Sequence, residues 1–74
     1  MLLTDLHAGQ KAKIVKVSGA QNITLRLIEM GLVKGVQVEL VRRAPLGDPL
    51  EIKIRNFLLS LRQNEASAIT IETL

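Results

Sequence analysis

The chain has no cysteine, no tryptophan and no tyrosine, with one histidine, one phenylalanine and two prolines. Each absence removes a class of function. Without cysteine there are neither disulfides nor thiolate chemistry, and nothing in the sequence reports directly on its redox compartment. Catalysis needs titratable groups that converge, and a single histidine with scattered carboxylates does not supply them, so no enzyme is expected. The glycines form neither a Gly-x-x-x-x-Gly-Lys-Ser/Thr run nor a Gly-x-Gly-x-x-Gly run, which leaves no phosphate-cradling loop. No apolar run approaches the roughly 20 residues that span a bilayer, and the N-terminus lacks a basic segment followed by a signal-type apolar stretch. Direct membrane insertion and export by the usual route are therefore not expected. The one aromatic, Phe57, falls in phase with a core face. Nothing is left to line a proline-peptide groove or to stack on the bases of single-stranded nucleic acid.

What is present suits one small folded unit. With 74 residues, 47% of them hydrophobic and 23% charged, the chain has room for a single domain over residues 1–74 with one core. Ten Lys and Arg against seven Asp and Glu give a formal charge of +3. That balance is far from a nucleic-acid polycation and hints at an acidic partner surface.

Period-two alternation dominates. Val36, Val38 and Leu40 alternate with Gln37 and Glu39; Leu50, Ile52 and Ile54 alternate with Glu51, Lys53 and Arg55. Phe57, Leu59 and Leu61, then Ile69 and Ile71, repeat the pattern. Over Gln10 to Val17 the apolar phase switches between Ile14 and Val15, as in a bulged strand. Five short strands of this kind bury their apolar faces by curling into a mainly β, SH3-like five-stranded barrel. The pattern breaks at Asn22 to Met30, which reads as a two-turn helix capped by Asn22, with Leu25, Ile28 and Leu32 on one side and Leu27 and Met30 beside them. Gly31 suits the left-handed residue of a Schellman cap that folds Leu32 back onto Leu27. Gln63 to Ser67 reads as one helical turn before the last strand. Pro45, Gly47 and Pro49 shape Ala44 to Pro49 into a defined hairpin loop.

The ordered set Arg26-Leu27, Met30-Gly31-Leu32, Gly35 and Pro45-Leu46-Gly47-Asp48-Pro49 resembles the family of ferrous iron transport protein A. The resemblance extends through Asp5-Leu6, Gly9, Leu59, Leu61-Arg62, Glu65-Ala66 and Ile69, and so covers nearly the whole chain. Asn56 departs from it, since the family usually has Gly there; Asn tolerates the left-handed conformation a tight turn needs. The resemblance implies the same SH3-like fold in a small cytoplasmic bacterial protein, without a cofactor, that is required for ferrous iron uptake. Its implied partner is the ferrous iron permease, ferrous iron transport protein B (FeoB), which carries a cytoplasmic GTP-hydrolysing domain.

The expected docking surface is the helix and the nearby loop, through Arg26, Met30, Lys34, Arg42, Pro45, Leu46 and Asp48. Each has a plainer role open to it: Arg26 as a solvated helix residue, Met30 as core beside Leu27, Leu46 as a cap on the barrel end. Arg42 continues the apolar phase of Val36, Val38 and Leu40, which lays its stem along the barrel rim with its head in water. The terminal strand Ile69 to Thr73 offers a second mode, strand addition at an exposed edge. Three further readings stay open. The chain resembles the C-terminal domain of iron-dependent repressors of the diphtheria toxin repressor type and could serve a separate repressor. It could be an iron carrier through His7 and Asp5, although a stable transition-metal site wants three or four ligands. Self-association, with a ferrous ion held between two copies, is also compatible with it.

Overall fold

A computed structural model describes all 74 residues. A 3-10 turn, Leu3–Asp5, leads into β1 (Lys11–Val17), α1 (Gln21–Glu29), β2 (Gln37–Arg43), β3 (Leu50–Ile54), β4 (Phe57–Leu61), α2 (Gln63–Ala66) and β5 (Ile69–Thr73). The strands form one antiparallel sheet in the order β4-β3-β2-β1-β5. With extents of 29 × 25 × 23 Å, the sheet is coiled on itself rather than flat. The four-residue α2 spans the corner between the two outermost strands.

The alternation sets the core. Ala12 and Ile14, Val38 and Leu40, Leu50, Ile52 and Ile54, Leu61, then Ile69 and Ile71 are buried from successive strands, joined by Leu3, Leu6, Leu27, Leu32 and Ala66. The phase switch in β1 is a register shift between Ile14 and Lys16. A second shift, between Leu40 and Arg42 in β2, has no counterpart in the sequence reading. It moves Arg42 off the core phase, so its side chain stands 68% exposed beside Glu51 rather than along the rim, and Arg43 turns inward instead. The Arg43 guanidinium donates through Nη2 to the Thr4 and Leu6 carbonyls, the latter at 3.0 Å, which ties β2 to the N-terminal turn.

The helix forms as expected at its C-terminal end and not at its start. Gly31 has φ +90°, its N–H donates to the Ile28 carbonyl at 2.9 Å, and the Leu32 N–H donates to Leu27 at 3.0 Å. These are the two bonds of a Schellman cap, and Leu27 and Leu32 are both fully buried. Asn22 does not cap. The N-cap is Ala20, without a side-chain bond, and Asn22 sits exposed within the first turn. Leu25 and Ile28 are each 50% exposed, so they are not the inner face; Ile23, Leu27 and Met30 are. Leu32 lies beyond the cap, where the helical period no longer applies, and counting it rotated the expected stripe away from the core.

Three further expectations give way. Phe57 is 45% exposed rather than core, because it follows the β3–β4 turn on an edge strand with no neighbour on its outer side. In that turn the left-handed residue is Arg55, at φ 55°, and not Asn56. The β5 edge is not open either, since the Met1 carbonyl accepts from the Ile71 N–H at 2.7 Å and Leu2 bridges to Thr70.

Candidate docking surface

The loop between β2 and β3 is built by local hydrogen bonds. The Gly47 N–H donates to the Ala44 carbonyl at 2.7 Å across a turn with Pro45 in second position, Gly47 takes φ +90°, and the Ala44 N–H closes onto Pro49 at 3.0 Å. The Asp48–Pro49 peptide is cis. This leaves Leu46 at the tip with 97% of its surface in water, beside exposed Pro45. Leu46 is thus a large apolar side chain displayed to solvent on a locally ordered loop.

Asp48 and Arg26 both make contacts within the fold. Asp48 Oδ1 accepts from the Gln63 N–H at 2.9 Å, holding the loop against the start of α2. Arg26 Nε lies 3.1 Å from Oε2 of Glu65, a carboxylate whose side chain is 8% exposed, while Glu65 Oε1 accepts from the Arg62 N–H at 3.0 Å. The short α2 thus joins the loop on one side to α1 on the other, with a groove of about 400 Å³ between α1 and α2 lined by Asn22, Ile23, Arg26, Arg62, Asn64 and Glu65.

The structure therefore brings Arg26, Leu46, Pro45 and Asp48 into one region organised by α2. It does not bring in Lys34, which precedes the far end of β2; the strand from Gln37 to Arg42 alone covers about 17 Å. Lys34 is exposed, Arg42 is 3.6 Å from Glu51, and Met30 is half-buried against the core. Sequence reasoning did not place Leu25 and Ile28, apolar residues of α1 each 50% exposed, on the surface. Their spacing of three was the available signal, assigned to the wrong face.

His7 and Asp5 do not form a pair. The two share no hydrogen bond or ion pair: Asp5 Oδ2 accepts from the Leu2 N–H at 2.8 Å as a cap on the N-terminal turn, and it is the backbone N–H of His7 that donates to Gln10 Oε1, at 2.7 Å. No group of three or more His, Cys, Asp or Glu is arranged to hold a metal ion. No helix is long and apolar enough to cross a membrane.

The coiled antiparallel sheet with a helical corner before its last strand defines an SH3-like barrel domain. A family model described as the FeoA domain matches residues 1–73, and the chain belongs to the FeoA family. It is 40% identical over 72 residues to a fusion of Fe(2+) transport protein A with the Fe(2+) transporter FeoB in Porphyromonas gingivalis, an alignment covering 97% of this chain and 8% of that protein. The chain thus spans less than a tenth of that relative. Among solved structures, the FeoA protein of Chlorobium tepidum superposes with a TM-score of 0.92 at 40% identity, over 100% of this chain and 70% of that one. FeoA of Stenotrophomonas maltophilia, solved in complex with zinc and described as an SH3 domain protein, gives 0.84 at 30% identity over 97% and 89%. A manganese-dependent transcriptional repressor shares the fold alone, with a TM-score of 0.92 at 16% identity over 100% of this chain and 36% of the repressor.

Proposed function

We propose that this chain is a cytoplasmic accessory protein of ferrous iron uptake that docks on the cytoplasmic, GTP-hydrolysing part of an FeoB permease and regulates or assembles it, performing no chemistry itself. The observation that carries this reading is the Porphyromonas fusion, in which a segment similar to 97% of this chain shares one polypeptide with an FeoB transporter. Covalent linkage raises the effective concentration of two modules that work together. The exposed side chains supply a suitable surface: Leu46 at the loop tip, Arg26 and Asp48 as charged groups beside α2, and Leu25 and Ile28 as apolar side chains exposed elsewhere on α1. Zinc is bound by the Stenotrophomonas protein; in this chain the scattered donors favour docking over carriage of iron.

The test is a titration of the isotope-labelled chain with the soluble cytoplasmic domain of its cognate permease, loaded with GDP or a GTP analogue, read by amide shifts. Shifts clustered at Gln21–Glu29 and Ala44–Pro49, and lost in Leu46→Asp, support the proposal. No shift with either nucleotide at high concentration would remove the cytoplasmic domain as the partner.

A further inference from the structure

The outer face of the sheet carries a charge pattern that shares no residue with the surface around α2. The register sets Lys11 opposite Glu39 and Glu39 opposite Lys53, one row across β1, β2 and β3. In the next row Lys13 stands opposite Gln37 on one side and Glu72 on the other, and Arg55 follows Lys53 by two positions at the β3–β4 turn. Lys11, Lys13, Lys53 and Arg55 are all exposed, and none has an ion-pair partner; the chain's ion pairs are Arg26–Glu65 and Arg42–Glu51. Glu39, half-buried between two lysines, pairs with neither. Lys11, Lys53 and Arg55 stand around a concavity of about 490 Å³ whose remaining lining is residues 35–39. Three cations, Lys11, Lys53 and Arg55, against one carboxylate, Glu39, leave a positive potential focused in the concavity.

We propose that this face is a second interaction surface that binds an acidic, extended segment of a partner protein. Lys11 and Lys13 lie two residues apart on β1, about 7 Å, which is the spacing at which an extended chain presents alternate side chains on one face, and Lys53 and Arg55 line the concavity with Lys11. Carboxylates at alternate positions of such a segment meet a cation each. Glu39 in the middle of the pattern repels an uninterrupted run of carboxylates, which makes the alternation a condition for binding. A sheet of anionic lipid headgroups meets Glu39 along with the lysines and draws no advantage from the spacing. The inference is independent of docking on FeoB, because it concerns different residues and names the partner by its charge pattern alone.

The experiment is an amide-shift titration with two blocked pentapeptides of equal charge, Asp-Ser-Asp-Ser-Asp and Ser-Asp-Asp-Asp-Ser. The expected result is shifts at Lys11–Lys13, Gly35–Glu39 and Lys53–Arg55, stronger with the alternating peptide. The double variant K53E/R55E weakens binding about tenfold, whereas the charge-matched K16E/R62E changes it less than about twofold. All four substituted residues are exposed, so far-ultraviolet circular dichroism should match the parent. Equal losses in both double variants would reduce the effect to net charge and overturn the proposal. So would shifts scattered over the surface, or phosphatidylglycerol vesicles perturbing these amides where the peptides do not.

Discussion

Removing the partner of Glu65 should separate the structural role of Arg26 from any role in docking. Glu65 is 6% exposed, and each carboxylate oxygen has one protein partner: Oε2 the Arg26 guanidinium, Oε1 the Arg62 amide. Arg26 itself is 66% exposed, so water screens its side of the pair and can solvate Oε2 once the guanidinium is gone. Arg26→Ala should therefore cost about 1 kcal/mol, well short of the figure for a fully buried pair broken on one side. Glu65→Ala loses the ion pair and the bond to the α2 N-terminus together, about 2–3 kcal/mol in all. The two changes remove the same ion pair, so the double variant should cost about 1 kcal/mol less than the sum. Urea unfolding gives the midpoints at constant slope, and for a domain of this size 1 kcal/mol also appears as about 4–8 °C in the thermal midpoint. An Arg26→Ala chain with the parent midpoint, or one that costs as much in the Glu65→Ala background as alone, would refute the assignment.

Arg43→Met keeps the stem and removes two donors to the Thr4 and Leu6 carbonyls, which should cost about 2 kcal/mol and accelerate amide exchange in the N-terminal turn. Gly31→Ala places a Cβ at φ +90° in the Schellman cap; the nearest atom, Ile54 Cδ1, is 3.9 Å away, so the loss of about 1 kcal/mol is one of backbone strain and not of collision. Leu46→Asp alters a side chain 97% in water and should leave the urea midpoint within about 0.5 kcal/mol of the parent while abolishing docking. An unfolding effect as large as that of Arg43→Met would mean that Leu46 serves the fold.

The strands were legible because their signal is local. Leu50, Ile52 and Ile54 alternate strictly and are all buried, paired with Leu61, Leu59 and Phe57 of β4, of which Phe57 at the turn is the exposed one. Gly31 announced its cap for a similar reason, since a positive φ is a property of one residue and its two neighbours. The docking candidates were legible only in part. Leu46 could be placed at a loop tip from Pro45 and Gly47, but Leu25 and Ile28 could not be placed outward, because a nine-residue helix offers too few apolar positions to fix its own rotation.

By itself, the sequence determined the number of strands, the phase of most of them, the end of the helix and the shape of the Ala44–Pro49 loop, all consequences of steric preferences and burial over a few consecutive residues. Only the tertiary structure decided what depends on a partner distant in the chain. The bulge in β2 that turns Arg43 inward is settled by carbonyls of Thr4 and Leu6, 39 and 37 positions away. The Arg26–Glu65 pair exists because α2 crosses the barrel corner beneath α1, and the row from Lys11 through Glu39 to Lys53 because three strands share one register. Local periodicity tells which face of a strand is wet; which wet residues become neighbours is set by the closure of the sheet.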